Sequence, residues 1–256
     1  MQIAADDRGF TLGHGLFETL LADAKGLHDW RAHIARLQRG CAVLALPAPE
    51  EPSCRAAAEA ALTDAGSDSA RFAVRLSWSA GSGGRGLDLP DRLEPRLTVA
   101  VSPIGPPPPN MTLATVSIPR NERSPTSRLK TLAYLDNVLA RREARGLGAD
   151  EALMLNTKGE VACAAAGNLL WISQGVLFTP ALSCGALDGI LRAQALARAV
   201  EIGLKVREVR AAVEQLRDVD GLAVTNSLIG VCPVRRLDGR DLPLSPELVA
   251  LGGRCG

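Results

Sequence analysis

Lys130 is one of only four lysines in 256 residues, against twenty-five arginines, and lies in Ser127-Arg128-Leu129-Lys130-Thr131-Leu132. An amine flanked by leucines, at the junction of an extended piece and a helix, is a candidate for desolvation. Burial disfavours the ammonium, lowers its pKa and leaves a nucleophile for an aldehyde. Taken alone, such a segment is more commonly a surface lysine at a helix start. A second group of residues could hold an anion. Leu187-Asp188-Gly189-Ile190-Leu191-Arg192 opens a helix after the Ser183-Cys184-Gly185 loop. Free backbone N–H groups and the positive end of a helix dipole make such a start a phosphate cradle. Arg36, inside an earlier helix, could add a bidentate phosphate contact, though singly it reads as a solvated arginine.

Other chemistries are excluded by what the chain lacks. The six cysteines show no C-x-x-C pairing and no neighbouring histidine, so neither a zinc site nor a disulfide framework is expected. Reduced thiols buried as small hydrophobes are the expectation for all six. No G-x-S-x-G elbow occurs, and His14, His28 and His33 have no evident triad partners. A net charge of +1 argues against nucleic acid. No apolar run of about twenty residues is present to span a membrane. The opening MQIAADDRGF has no apolar core for a secretory signal, and a soluble cytoplasmic protein is expected.

The elements that must position these residues divide at Ile104-Gly105-Pro106-Pro107-Pro108-Pro109-Asn110, because four prolines can join neither a helix nor a central strand. The reading places a small α+β domain at 1–104, a proline-rich linker at 105–110 and a larger α+β domain at 111–256. In the first, strands are expected at Gly15–Leu21, Arg71–Ser79 and Leu97–Val101. Helices are expected at Trp30–Leu44, capped by Asp29, and at Pro52–Ala65. In the second, strands are expected at Met111–Ile118, Glu151–Leu155, Asn168–Ile172, Val176–Thr179, Arg207–Arg210, Gly221–Thr225 and Val231–Val234. Helices are expected at Leu132–Arg145, with Leu135, Val138 and Leu139 inward, and at Asp188–Gly203.

Six ordered segments resemble the fold-type-IV pyridoxal 5′-phosphate (PLP) enzymes, the class IV aminotransferases and aminodeoxychorismate lyases. They are DRGFTLGHGLFET, HIARL, LKTLAYLDNVLARREA, DEALMLNTKGEVACAAAGNLLWI, GVLFTPALSCGALDGILR and VTNSLIGVCPV. The resemblance implies a two-domain, D-amino acid aminotransferase-like α+β fold with PLP between the domains, usually as a homodimer. It makes Lys130 the catalytic Schiff-base lysine. It gives the phosphate to Arg36, Gly189, Ile190, Leu191, Ser227 and Leu228, and lays Leu187 against one face of the ring. Asn226 falls in the loop that would meet substrate, and no metal is implied.

The chain departs from that pattern at several places. Cys163 stands where the family has a glutamate that keeps the pyridine nitrogen protonated, and a neutral thiol cannot supply that charge. The substitution reads either as lost or weakened activity, or water bridging to another acid, or as chemistry that tolerates a neutral ring, for which elimination suits better than transamination. His14 replaces an aspartate. SAGSGGRGLDL keeps Arg85, a candidate for a substrate carboxylate, but has Ala80 and Leu87 where the lyase form has arginine and tyrosine. The reading also expects a strand pair ahead of the opening motif, close to which the chain begins.

TNSLIGVCPV and GILR resemble the lyase form. The resemblance therefore implies conversion of 4-amino-4-deoxychorismate to 4-aminobenzoate and pyruvate, a folate-precursor step. The alternatives are an aminotransferase for branched-chain, D-amino acid or simple amine substrates, and a PLP-binding protein with little catalysis.

Overall fold

The computed structural model describes residues 3–66 and 69–252. They divide into two compact units, Met1–Pro106 with Leu129–Tyr134, and Pro107–Arg128 with Leu135–Gly256. The lysine segment therefore belongs to the first unit, although both its flanks belong to the second.

The first unit contains α1 (Arg8–Leu12), β1 (Gly15–Asp23), β2 (Gly26–Leu27), α2 (Trp30–Val43), α3 (Glu51–Asp64), β3 (Arg71–Ser79) and β4 (Arg96–Pro103). Its sheet runs β2-β1-β3-β4, antiparallel throughout. The alternation Phe72, Val74, Leu76 places one face of β3 in a core with Leu20, Trp30, Ile34, Cys54 and Ala58. β1 is buried almost continuously, so both of its faces are committed. Asp29 precedes α2 but has φ 55° and makes no side-chain cap, contrary to the sequence expectation. In that left-handed conformation its side chain does not bond the first turn.

The second unit contains β5 (Met111–Thr115), α4 (Leu135–Gly146), β6 (Glu151–Leu155), β7 (Val161–Ala164), β8 (Asn168–Ser173) and β9 (Val176–Pro180). These are followed by α5 (Ile190–Glu201), β10 (Lys205–Val209), β11 (Gly221–Asn226), β12 (Gly230–Leu237), β13 (Arg240–Asp241) and α6 (Pro246–Leu251). The strands run β10-β9-β8-β11-β12-β5-β6-β7, with β13 on β12. The sheet curls, because Ala164 of β7 pairs with Gly167 just before β8. One side of the curl is filled by Leu113, Leu153, Leu169, Trp171, Leu222 and Val224.

Two expectations are corrected here. The helix after Lys130 begins only at Leu135, and Leu135 and Val138 are 66% and 58% exposed. Its inward face is Asn137, Ala140 and Ala144, small enough to lie close on the sheet, with Asn137 Nδ2 donating to Ala165 O at 2.7 Å. Likewise β5 ends at Thr115, three residues early, where Asp238 takes its N–H and hydroxyl. The five described cysteines are buried free thiols, and Cys255 lies outside the described residues. No described helix is long and apolar enough to cross a membrane, and no described His, Cys, Asp and Glu cluster fits a metal.

Candidate active site

Lys130 does not start a helix. Its segment runs extended along β1, with Phe17 N donating to Lys130 O at 2.8 Å and Leu132 N donating to Gly15 O at 2.9 Å. Leu16 and Thr131 form the bridge between them. This pairing holds the backbone from the Lys130 carbonyl onward against β1. Nζ lies 4.2 Å from the centroid of Phe17 and 5.3 Å from that of Tyr134. The two rings meet edge to face at 5.1 Å. Arg75 of β3 places its guanidinium carbon 3.6 Å from the Phe17 centroid, and its Nε donates to Ser77 Oγ. Burial lowers the Arg75 pKa, offset in part by Tyr134. A lysine and an arginine thus share one aromatic ring, an arrangement suited to an amine nucleophile beside an anchor for a substrate carboxylate.

On the helix side of β1, Glu18 is buried with His33 and Arg36 of α2, residues three apart on one helix face. Arg36 donates through Nε to Glu18 Oε1 at 2.8 Å and through Nη2 to Oε2 at 2.6 Å. His33 Nδ1 lies 2.7 Å from Oε2 and must donate, since a carboxylate only accepts. Burial raises the Glu18 pKa, but the bonds and charges of Arg36 and His33 outweigh it and hold the carboxyl down at about 2. The bidentate grip orients the Arg36 fork.

Arg85 is exposed on the glycine-rich loop. That loop is tied to α1 by Arg8, which donates to Gly86 O and Leu87 O and, through Nε, to His14 Nδ1. His14 Nε2 reaches Leu44 O, so the residue that departs from the motif serves as a strut.

In the second unit the anion-binding elements meet around Asn168. Its Nδ2 donates to Leu187 O at 2.8 Å. A Cβ on Gly189 would fall 1.9 Å from its Oδ1, so only glycine fits at the start of α5. Gly189 is the N-cap, no side chain caps the helix, and no acid lies in its first turn. The N–H groups of Ile190 and Leu191 are therefore presented as an anion site. Arg192 anchors the helix through Thr179 Oγ1, Pro180 O and Glu208.

Asn168 pairs directly with Thr225 of β11, so the two side chains share a face of the sheet. The Thr225 hydroxyl is buried there without a hydrogen-bond partner. The following loop is held by Asn226, whose Nδ2 donates to Ala166 O while its Oδ1 accepts from Leu228 N and Ile229 N. Cys163 is buried on β7 in the same cluster as Ala186, the residue before Leu187. An uncapped helix start, an orphaned hydroxyl and a clamped loop fit a phosphorylated cofactor by donor chemistry.

The sequence reading missed Glu18, Arg75, Arg120, Asn168 and Thr225. Glu18 was legible as an acid in an apolar strand facing an H-x-x-R helix. Arg75 sits on the Arg71, Ala73, Arg75, Ser77 face, which reads as solvated. A cavity of about 530 Å³ in the first unit, lined by Phe10, Ser77, Arg96 and Leu132 among others, contains none of the predicted residues.

The sequence profile of the family Amino-transferase class IV matches residues 15–237. Aminodeoxychorismate lyase of Bacillus subtilis is 31% identical over 91% of this chain and 80% of its own length. A solved Legionella pneumophila structure, assigned as a 4-amino-4-deoxychorismate lyase, superposes with TM-score 0.91 at 26% identity, covering 98% of this chain and 93% of that one. A hypothetical aminotransferase of Mycobacterium tuberculosis in its PLP-bound form superposes with TM-score 0.85 at 25% identity, covering 98% and 91%.

Proposed function

The chain belongs to the class IV aminotransferase family of PLP-dependent enzymes, and from that premise we propose that it is an aminodeoxychorismate lyase, releasing 4-aminobenzoate and pyruvate. The observation that carries the reading is Lys130, its backbone fixed along β1 and its amine set over Phe17 and Tyr134 beside Arg75. PLP, when bound, supplies an aldehyde that captures amines and a ring that withdraws electrons.

Lys130 would hold the cofactor through its amine and would be the group that moves the proton. Its Nζ takes a proton from the substrate ring carbon that carries the amine and returns one to the departing enolpyruvyl group, which leaves as pyruvate. Ring aromatisation drives the step, and no water or redox partner is consumed. In the second unit the N–H groups of Ile190 and Leu191, with Ser227 and Thr225, would bind phosphate, and in the first unit Arg36, oriented by Glu18, would be a phosphate ligand. Gly189 gives close approach at the helix start. Leu228 has its N–H engaged by Asn226 and so serves the phosphate through the shape of the loop. Leu187 would pack against the ring and Cys163 would face its nitrogen. Arg75 and Arg85 would take the two substrate carboxylates, and Asn226 would shape its own loop for substrate.

The protein acts in the cytoplasm, in folate-precursor synthesis, as a homodimer. The apolar surface of Phe10, Leu12 and Leu87, brought together by the Arg8 bonds, supports a second copy as its cover. The competing reading is an aminotransferase for branched-chain, D-amino acid or simple amine substrates, supported by the family match and the M. tuberculosis structure.

Absorption spectroscopy of the PLP-loaded protein tests the choice. The visible band is expected in the wild type and absent in Lys130→Ala. Pyruvate release from aminodeoxychorismate with the band retained supports the lyase. Bleaching by an amino acid to the pyridoxamine form makes the chain a transaminase. A band without turnover of either substrate class leaves a cofactor-binding protein.

A further inference from the structure

Cys163 pairs with Met154 across β6 and β7, is 5% exposed, and shares its buried cluster with Ala186 and Leu182. Asn168, five residues along the same hairpin, bonds Leu187 O. The thiol and the uncapped start of α5 therefore occupy one corner of the second unit. Two charged groups act on the thiol, Arg120 and Glu151.

Arg120 extends the edge beyond β5, donating its N–H to Leu155 O at 2.7 Å. Its guanidinium is held on three sides, by Gly185 O at 3.1 Å, by Asn137 Oδ1 at 3.2 Å and by Ser127 O. A positive charge fixed by three acceptors on separate segments cannot swing away. Glu151 is committed elsewhere, pairing with Arg141 of α4 and accepting from Ala152 N. Burial pushes the thiol pKa up, with Arg120 opposing and Glu151 reinforcing, so the sulfur is a neutral S–H near pH 7.

We propose that Cys163 and Arg120 together hold the pyridine nitrogen of the bound cofactor unprotonated. The inference rests on the placement of Cys163 at that nitrogen given above. A pyridinium in a buried site needs a negative acceptor, and a thiol offers only a weak donor. The fixed guanidinium adds a like charge, which further disfavours protonation. An unprotonated ring withdraws electrons less strongly. It suits a reaction in which electrons freed from the substrate pass at once to a leaving group, as in elimination, over one that must store them in the ring.

The experiment is nitrogen-15 NMR of the wild-type holoenzyme loaded with PLP labelled at the ring nitrogen, at pH 7, with labelled free PLP titrated as the standard. The ring resonance is expected downfield, at the position of unprotonated pyridine. Cys163→Glu is expected to move it upfield toward pyridinium, and Cys163→Ala to leave it downfield. A wild-type resonance at the pyridinium position overturns the proposal while leaving the cofactor reading intact. Absence of any labelled cofactor bound, with no visible band lost in Lys130→Ala, overturns the cofactor reading and the proposal with it. If Cys163→Glu does not fold, the wild-type resonance alone decides.

Discussion

Glu18 is a carboxylate in the middle of a buried strand, and it stays ionised because Arg36 and His33 supply its hydrogen bonds from one helix face. Its folded pKa of about 2 lies below the ordinary 4.5, so its contribution to stability is present above pH 4.5 and lost as the pH falls toward 2. Glu18→Gln is expected to cost about 3–5 kcal/mol at pH 7 by stranding the Arg36 charge. The gap from wild type should narrow when denaturant midpoints are measured from pH 5 down to pH 3, and a constant gap would refute the assignment. The Thr225 hydroxyl is the opposite case, a buried polar atom with nothing to bond. Thr225→Val should leave the apo protein as stable as wild type, or more so, while weakening PLP binding by about tenfold. Equilibrium titration and thermal melts of the two apo proteins read both effects. Arg75→Met should lower kcat/KM for a carboxylate-bearing substrate by about 10- to 100-fold, mostly through KM, with the visible band intact. Arg75 was hard to read from the chain alone, because a strand's polar face looks the same whether it meets water or a ligand. Only the register of β1 against β3 puts Phe17 and Arg75 on one side.

At the scale of elements, period carried most of the information and boundaries the least. The alternation over Arg71–Ser79 and the helical spacing in Trp30–Val43 are each visible in the chain and present in the structure. α4 shows where periodicity misleads. Its large apolar residues Leu135 and Val138 face outward, while alanines and a buried asparagine face the sheet. Close approach of a helix selects small residues, and a hydrophobic-stripe rule cannot see that preference. Asn137→Leu is expected to destabilise the protein by about 1–3 kcal/mol, by leaving Ala165 O and an Arg120 donor unpaired. Chemical denaturation measures the loss. The same element explains why the helix was expected from Leu132. Residues 132–134 have helix-like composition, but Leu132 N is taken by Gly15 O, just after Lys130 O is taken by Phe17 N.

For the molecule as a whole, the illegible feature was the return of the chain, which puts Leu129–Tyr134 in the first unit and not in a domain running unbroken from 111 to 256. Nothing local in Leu129–Tyr134 marks it as a component of the first unit; its partners lie more than a hundred residues earlier. Long-range pairing of this kind leaves no periodic trace. The homodimer is tested at this scale by sedimentation velocity. A wild-type dimer and a shift toward monomer in Phe10→Asp with Leu87→Asp are expected, and a wild-type monomer would remove the dimer from the reading.

The crossing also fixes an order of events during synthesis. The first unit emerges with the edge of β1 open at Gly15 and Phe17, and it stays open until residues 107–128 have been made and passed. Lys130, the residue proposed to bond the cofactor, arrives on the segment that closes this edge. Completion of the first unit and arrival of the Lys130 amine are thus a single step in time, and a nascent chain halted before Lys130 carries neither.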